Sequence, residues 1–348
     1  MSDKTKVRFD FIDSVRGIAA CLVMLQHSME VGRIETADKN HFALTFLNFG
    51  ETGVLAFFFV SGFVIPFSLE RWCDVKHFWI SRACRIYPLY LFIYFVSMVI
   101  NRSAHALSAS GHLVNFVGHL FFLQEYVRQP DFVPGSWTLS LEAVWYVAFT
   151  GLFVRALNRK DGPIIIGAIA LSLFAATLSL VHVARIPMGR VGFLDACVVG
   201  LLCLRREQGE MSQKRFLLGV FSLLLVIGFN LAVGFLWRPG SSSIAPSFQC
   251  VILSWTLGVA VFFVPFLTRT SAAWSHASLT FLGKISYSIY LLHPVMLYLF
   301  SRSHFTGFVF VIIVFASTIL LSILTYRYIE KPGIAYAHAF KRRKPAQT

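Results

Sequence analysis

The chain has 348 residues, of which 56% are hydrophobic and 16% aromatic, and its formal net charge is +14. This composition is typical of a polytopic membrane protein and excludes an ordinary soluble globule. The basic residues lie in short loops between apolar runs, a distribution that indicates membrane topology and disfavours nucleic-acid binding. The six cysteines form no CxxC motif and no zinc spacing, so we expect neither a disulfide framework nor a metal site.

The first apolar run, at 11–30, carries charged residues in a segment long enough to span a membrane. It lacks a small-residue cleavage signal, so we expect it to be retained as a helix. Arg16 and His27 are eleven residues apart, which places them on nearly the same helix face and about 16 Å apart along its axis. Ionisable residues at such depth indicate function; the alternative is an interfacial anchor at Arg16 and a packing hydrogen bond at His27.

Ten apolar runs are long enough to span a membrane. An eleventh run, at 112–126, is shorter and is interrupted by polar residues. If the eleventh does not span, most lysines and arginines fall in loops on the inner side and both termini are cytoplasmic. We therefore predict an all-α polytopic bundle of about ten transmembrane helices plus one short re-entrant or interfacial helix. It forms a single domain over 1–348, with short cytoplasmic tails at 1–10 and 330–348. The ten runs lie near 11–30, 44–69, 86–101, 136–155, 163–183, 190–204, 216–236, 248–268, 280–300 and 307–328.

The run at 136–155 carries a carboxylate, Glu142, that needs a partner or a proton inside the membrane. Counting 1.5 Å per residue from opposite sides places Glu142 and His27 at similar depth. Tyr146 shares the helix face of Glu142 at i, i+4 spacing. The alternative is a protonated glutamate that serves helix packing alone.

Two motifs lie near the predicted inner face. In GVLAFFFVSGF, Ser61 and Gly62 are small residues that permit close helix packing or leave room for a ligand, and close packing is the simpler interpretation. In RACRIYPLY, Arg82 and Arg85 could hold phosphates by bidentate contacts. Charge alone equally explains these two arginines as positive-inside anchors.

A polar stripe follows the run at 280–300. Ser286, Tyr290 and His293 recur at i, i+4 and i+7 in GKISYSIYLLHP, so they share one helix face. Such a stripe either lines a cavity or satisfies its hydrogen bonds between helices.

Five motifs in this order resemble the acyltransferase-three family of bacterial integral-membrane O-acyltransferases, over essentially the whole chain. They are FIDSVRGIAA with the Arg16–His27 spacing, FFFVSGF at 57–63, RIYPLY at 85–90, WTLSLEAVWY at 137–146 and GKISYSIYLLH at 283–293. One position departs from the family. Many relatives have an acidic residue two positions after the glycine of the second helix, where this chain has Leu55.

The resemblance implies transfer of an acyl group, usually acetyl from acetyl-coenzyme A, to a hydroxyl of a surface or exopolysaccharide sugar or its lipid-linked precursor. It also implies a multi-pass protein of the bacterial inner membrane, with the bilayer and a carbohydrate acceptor as partners. Some relatives carry an extra extracytoplasmic domain; this chain stops at Thr348, so we expect it to act alone or with a separate partner. The acceptor, the choice between acetyl and succinyl, and the oligomeric state stay open.

The resemblance also suggests roles for the site residues. His27 is the expected general base or transient acyl carrier, oriented by Glu142. The expected coenzyme A contacts are Arg16, Arg82, Arg85 and Ser61, and the expected acceptor-site lining is Tyr146, Tyr290 and His293. The alternative function is a proton-coupled transporter or flippase of a glycolipid or small molecule, with His27 and Glu142 as its proton relay.

Overall fold

The computed structural model describes residues 9–32, 46–100, 108–125, 129–183, 186–236 and 246–342, which are helical and contain no strand. A 3-10 turn, Ala272–Ser275, precedes the helix Ala277–Lys284, and a π-helical turn, Tyr326–Glu330, joins the last two helices of the chain that the structure describes. The helices are α1 (Asp10–Val31), α2 (Phe49–Trp72), α3 (Val75–Ile100), α4 (Ala109–Leu120), α5 (Trp137–Val154), α6 (Asp161–Leu180), α7 (Met188–Glu207), α8 (Gln213–Leu236), α9 (Phe248–Leu267), α10 (Ala277–Lys284), α11 (Ser286–Phe300), α12 (Gly307–Thr325) and α13 (Lys331–Arg342).

Seven helical segments of the described chain are long and apolar enough to cross a membrane, namely α2, α3, α5, α6, α8, α9 and the segment that begins with α12. Helices α1 and α7 have similar lengths, 22 and 20 residues, but carry more charged side chains. Helix α11 has 15 residues and directly follows α10. Counting these three as passes gives ten, the number expected from the sequence. The helices of the described chain confirm the predicted polytopic all-α fold.

Successive passes run in opposite directions between two ends of the bundle, which we call the arginine end, near Arg16, and the histidine end, near His27. At the arginine end, Phe9 packs edge-on against Phe63 of α2, with ring centroids 5.0 Å apart. At the histidine end, the backbone N–H of Gly307 donates to Gly32 O at 2.7 Å. These contacts join the start of α1 to the second half of α2, and the end of α1 to the start of α12.

Helix α4 adds no pass. Its 12 residues extend about 18 Å, less than the hydrocarbon thickness of a bilayer, and Tyr94 of α3 donates to Asn115 of α4 at 3.0 Å. Tyr298 donates to the carbonyl of Ile100, the last residue of α3, and both Tyr298 and Trp137, the first residue of α5, line a cavity at the histidine end. Because α3 ends and α5 begins at the same end, α4 is the predicted short non-spanning helix.

Helices α2 and α7 cross with their backbones in contact. A Cβ atom on Gly62 would overlap the carbonyl oxygen of Cys197, and one on Gly200 would overlap that of Phe59. Helices α1 and α10 cross in the same way at Gly283. Glycine permits such approach in membrane bundles, so the packing interpretation of Gly62 is confirmed, and the crossing holds the neighbouring Ser61 in place.

A buried ionic cluster joins three elements at the arginine end. Arg205 of α7 is 1% exposed and forms a bidentate pair with Glu70 of α2, at 2.6 and 2.7 Å. It also donates to the carbonyl of Asn158, in the α5–α6 loop, at 2.9 Å. Charged hydrogen bonds of this geometry are strong and directional, so the cluster fixes α2, α7 and that loop relative to one another.

The segment predicted as a carboxyl-terminal tail, 330–348, contains helix α13. Gly333 of this helix lies against the backbone of α3, where a Cβ atom would overlap Cys84 O. Residues 1–8 and 343–348 of the two predicted tails lie outside the described residues.

Candidate functional site

A cavity opens between α1, α2, α3, α5 and α11, with an empty volume of about 870 Å³ counted to its open mouth. We call it the arginine cavity. It brings together all four residues that the sequence predicts at a coenzyme site, and adds two of the residues predicted for an acceptor site. Its polar lining consists of Arg16, Arg82, Arg85, Ser61, Thr138, Glu142, Tyr146, Ser286, Tyr287 and Tyr290.

The guanidinium groups of this cavity have N–H donors that form no hydrogen bond with a described residue. Arg82 donates from Nη2 to Ser68 Oγ, at 2.8 Å, and lies 5.4 Å above the ring of Phe78. Its Nε is buried and has no hydrogen-bond partner in the described chain. Arg16 and Arg85 form no ion pair or side-chain hydrogen bond with any described residue.

Glu142 finds its partners inside the arginine cavity. Ser61 Oγ donates to Glu142 Oε1 at 3.0 Å, and the hydroxyl of Tyr146 donates to the same oxygen at 2.6 Å. Arg16 and Arg82 are within electrostatic range of this carboxylate. The cavity therefore combines three guanidinium groups with one carboxylate. Tyr146, predicted at the acceptor site, lies here with them.

A second cavity, the histidine cavity, lies toward the other end of the bundle, with an empty volume of about 1440 Å³ counted in the same way. Val54 and Tyr290 line both cavities, so the two meet at these side chains. Its charged or titratable lining in the described chain is His27, Glu30, Glu51, Tyr290, His293 and Tyr298. Sequence reasoning did not single out either glutamate, because both lie near helix ends, where carboxylates are common.

His27 is paired with another histidine and has no hydrogen bond to Glu142. Its Nδ1 lies 3.0 Å from Nε2 of His293 in α11. The predicted pairing of His27 with Glu142 is therefore wrong: the depth count did not show that Glu142 faces Ser61 and Tyr146 in the other cavity. His293, predicted as acceptor-site lining, lines the histidine cavity and also contacts His27 directly.

The polar stripe of α11 runs along both cavities. Ser286 lines the arginine cavity, His293 the histidine cavity, and Tyr290 lines both. The Tyr290 hydroxyl donates to Gly135 O at 3.2 Å and lies 3.1 Å from Thr138 Oγ1. Gly135 has φ +86°, which favours glycine. The cavity interpretation of this stripe fits the structure.

Metal ligation has no candidate in the part of the chain that the structure describes, where no three histidine, cysteine, aspartate or glutamate side chains are grouped to hold an ion. The arginine cavity instead offers donors suited to an anion. Its guanidinium groups match the geometry of phosphate oxygens.

Comparison with known proteins gives one family match, to a model described as "Acyltransferase domain", over residues 9–327. Acyltransferase MdmB of Streptomyces mycarofaciens is 29% identical over 159 residues, 44% of this chain and 41% of that protein. SACOL0978 of Staphylococcus aureus (strain COL), named as a proposed O-acetyltransferase, is 24% identical over 333 residues, 84% of this chain and 54% of that protein.

Nodulation protein 10 of Rhizobium leguminosarum bv. viciae is 27% identical over 139 residues, 40% of this chain and 33% of that protein. The chain thus spans about half the length of the curated relatives it matches most extensively. No solved structure matches it.

Proposed function

The chain belongs to the acyltransferase family matched over residues 9–327, and from that membership we propose that it is a membrane O-acyltransferase. It transfers an acyl group, acetyl in the first instance, from acyl-coenzyme A to a hydroxyl of a surface or exopolysaccharide sugar or its lipid-linked precursor. The observation that carries this proposal is the pair of cavities: one rich in arginine, one containing an accessible histidine, meeting at Val54 and Tyr290. The names of two similar proteins, an acyltransferase and a proposed O-acetyltransferase, support the same chemistry.

The arginine cavity is the proposed donor site. Three guanidinium groups facing one carboxylate give an excess of positive charge, which favours a ligand with several phosphate groups such as coenzyme A. The basic loops of the arginine end support its placement on the cytoplasmic side of a bacterial inner membrane. Acyl-coenzyme A is a cytoplasmic metabolite, so the donor and this cavity would share one compartment.

The histidine cavity is the proposed acceptor site, with His27 as general base. Arg16 and His27 lie on one helix, about 16 Å apart along its axis. The pantetheine arm of coenzyme A is long and flexible, so its thioester can extend past Val54 and Tyr290 toward His27. An unprotonated imidazole nitrogen there can take the proton of an acceptor hydroxyl as its oxygen attacks the acyl carbon.

Mass spectrometry of surface carbohydrate from cells with and without the gene tests the activity. We expect loss of acetyl groups from one class of sugar when the gene is absent. Restoration by the wild-type chain and not by His27→Ala, with both proteins inserted at equal levels, would assign the transfer to His27. Unchanged carbohydrate mass with altered distribution across the membrane would contradict acyl transfer and support a transporter.

Calorimetry with coenzyme A tests the donor site. Arg85→Ala removes one uncommitted guanidinium, so it should weaken binding by about 1.5–3 kcal/mol, the range for a hydrogen bond to a charged group. Arg215→Ala is the matched control, because it removes the same charge from an exposed position of the first turn of α8, outside the cavity. Equal dissociation constants for the two variants would exclude Arg85 from the donor site.

A further inference from the structure

His27 and His293 form a pair of imidazole rings at the wall of the histidine cavity. The rings are nearly parallel, at 9°, with centroids 5.3 Å apart. His293 is buried and His27 half-buried. Two neutral imidazoles joined at 3.0 Å through His27 Nδ1 and His293 Nε2 share one hydrogen bond, so one of these two nitrogens must carry its proton.

The backbone of α11 decides which nitrogen carries that proton. His293 Nδ1 lies 3.2 Å from the carbonyl oxygen of Ile289, which can only accept, so Nδ1 of His293 is protonated. The Nε2 of a neutral His293 is then unprotonated and accepts from Nδ1–H of His27. His27 consequently keeps its lone pair on Nε2, an atom that no described residue engages in a hydrogen bond.

Glu142 and Glu30 have other hydrogen-bond partners. Glu142 accepts from two hydroxyls in the arginine cavity. Glu30, on the same helix as His27, accepts from Gln26 Nε2 at 2.9 Å and is close enough to act on His27 through its charge alone. The other titratable groups that line this cavity are Glu51 of α2, and Tyr290 and Tyr298 of α11. His293 is thus the described residue that hydrogen-bonds the His27 ring.

We propose that His293 is the positioning residue for His27: it holds His27 in the tautomer whose Nε2 can accept the proton of the acceptor hydroxyl. This inference rests on the proposed function. In the transfer step the hydroxyl proton moves to Nε2, the oxygen bonds to the acyl carbon, and the carbon–sulfur bond breaks. The departing thiolate takes the proton from Nε2, so His27 ends as it began. His293 stabilises the transient imidazolium by accepting from its Nδ1–H.

Two substitutions of His293 and one control variant separate this role from simple packing. His293→Leu cannot accept from His27, so kcat should fall on the order of 10²-fold or more, with the donor KM unchanged. His293→Gln can both accept from His27 Nδ1 and donate to Ile289 O, so it should retain turnover within about tenfold of wild type. The control is His304→Gln, an exposed histidine near the same end, which should behave as wild type.

A second readout needs no acyl transfer. Diethyl pyrocarbonate modifies an unprotonated imidazole nitrogen, and mass spectrometry of the full-length protein in nanodiscs can follow the modification of His27 against pH. His293→Glu places a carboxylate beside Nδ1 and favours imidazolium, so the pH midpoint of His27 modification should rise by about 1–3 units. His293→Gln should leave the midpoint near that of wild type.

The outcomes distinguish this inference from the proposed function. Wild-type turnover in inserted His293→Leu, or an unchanged midpoint in inserted His293→Glu, would overturn the positioning role. If the midpoint shifts as expected but the wild-type protein transfers no acyl group to any carbohydrate, the pairing stands and the proposed function fails. If transfer occurs and the midpoint does not move, the positioning role alone fails.

Discussion

Glu142 is the carboxylate among the residues that line the arginine cavity. Two hydroxyls, from Ser61 and Tyr146, donate to one of its oxygens, and Arg16 and Arg82 are within electrostatic range. It shares no hydrogen-bond partner with His27 or His293. We therefore assign Glu142 to the organisation of the proposed donor site, separate from proton transfer in the proposed acceptor site.

Because Glu142 and His293 lie in different cavities, the effects of substituting them on catalysis should be additive. Glu142→Gln should act mainly through the donor KM and His293→Leu mainly through kcat, because their hydrogen-bond partners lie in different cavities. The activation free-energy losses from kcat/KM of the two single variants should then sum to that of the double variant within about 0.5 kcal/mol. A double variant no worse than the poorer single one would show that the two residues act as a unit.

The grouping of Arg16, Arg82, Arg85 and Ser61 could be predicted because loop charge and helix length place all four near one end of the bundle. The hydrogen-bond partner of His27 could not be predicted from the sequence. The rise per residue gives the position of a side chain along its own helix axis. Which residue of another helix faces that side chain depends on how the helices pack. His293 lies 266 residues from His27 in sequence, and the spacing of its stripe predicts only a shared helix face.

At the scale of elements, glycine contacts hold the central helices together. Helices α2 and α7 cross where Gly62 and Gly200 allow backbone contact. The apolar runs predicted both helices, but contact between this pair depends on three-dimensional packing that hydropathy does not encode.

Gly62→Ala should therefore destabilise the bundle by about 1–3 kcal/mol, as overpacking does, because its methyl group would overlap Cys197 O. Gly167→Ala in α6 is the control, since a Cβ atom there meets nothing within 4 Å. Thermal unfolding in detergent, followed by circular dichroism, measures both. Equal loss of stability in the two variants would contradict the close crossing.

Helix α4 and the loop after it contain two titratable groups with opposite pH dependences, the buried His119 and the half-buried Asp131. Burial lowers the pKa of His119 to about 4 and raises the pKa of Asp131 to about 6. The stability from neutral His119 is complete above about pH 6.5 and falls as the pH drops toward 4, because the unfolded chain binds the proton more readily. The contribution of Asp131 is complete below about pH 4 and is lost as the pH rises through 6.

Substitutions of His119 and Asp131 should have opposite effects on the pH dependence of stability. His119→Gln should reduce the acid-induced loss of stability between pH 6.5 and 4, by up to about 3 kcal/mol at the lower limit. Asp131→Asn should make that loss steeper, because it removes the group that opposes it. Unfolding midpoints across this pH range test both, and a change of the same sign in the two variants would refute the assignment.

At the scale of the whole molecule, ten passes place the ends of α3 and α5 on one side although α4 lies between them. In a variant without the six native cysteines, Ser110→Cys in the first turn of α4 and Gln129→Cys after the helix should react with an impermeant thiol reagent from the same side. Gln213→Cys, at the start of α8, should react from the opposite side, which we expect to be cytoplasmic. Reaction of Ser110→Cys and Gln129→Cys from opposite sides would require eleven passes.

The meeting of the two cavities at Val54 and Tyr290 raises the question of leakage. A path that joined both faces of a membrane would dissipate ion gradients unless something closed it. The Tyr290 side chain is held by Gly135 and Thr138, and Val54 adds an apolar side chain to the same region. We expect this region to admit an uncharged thioester arm and to obstruct hydrated ions. A phosphate that passed this region would leave three guanidinium groups, which attract it, and approach the carboxylates of the histidine cavity, which repel it. Val54 and Tyr290 would thus help to preserve the permeability barrier of the membrane.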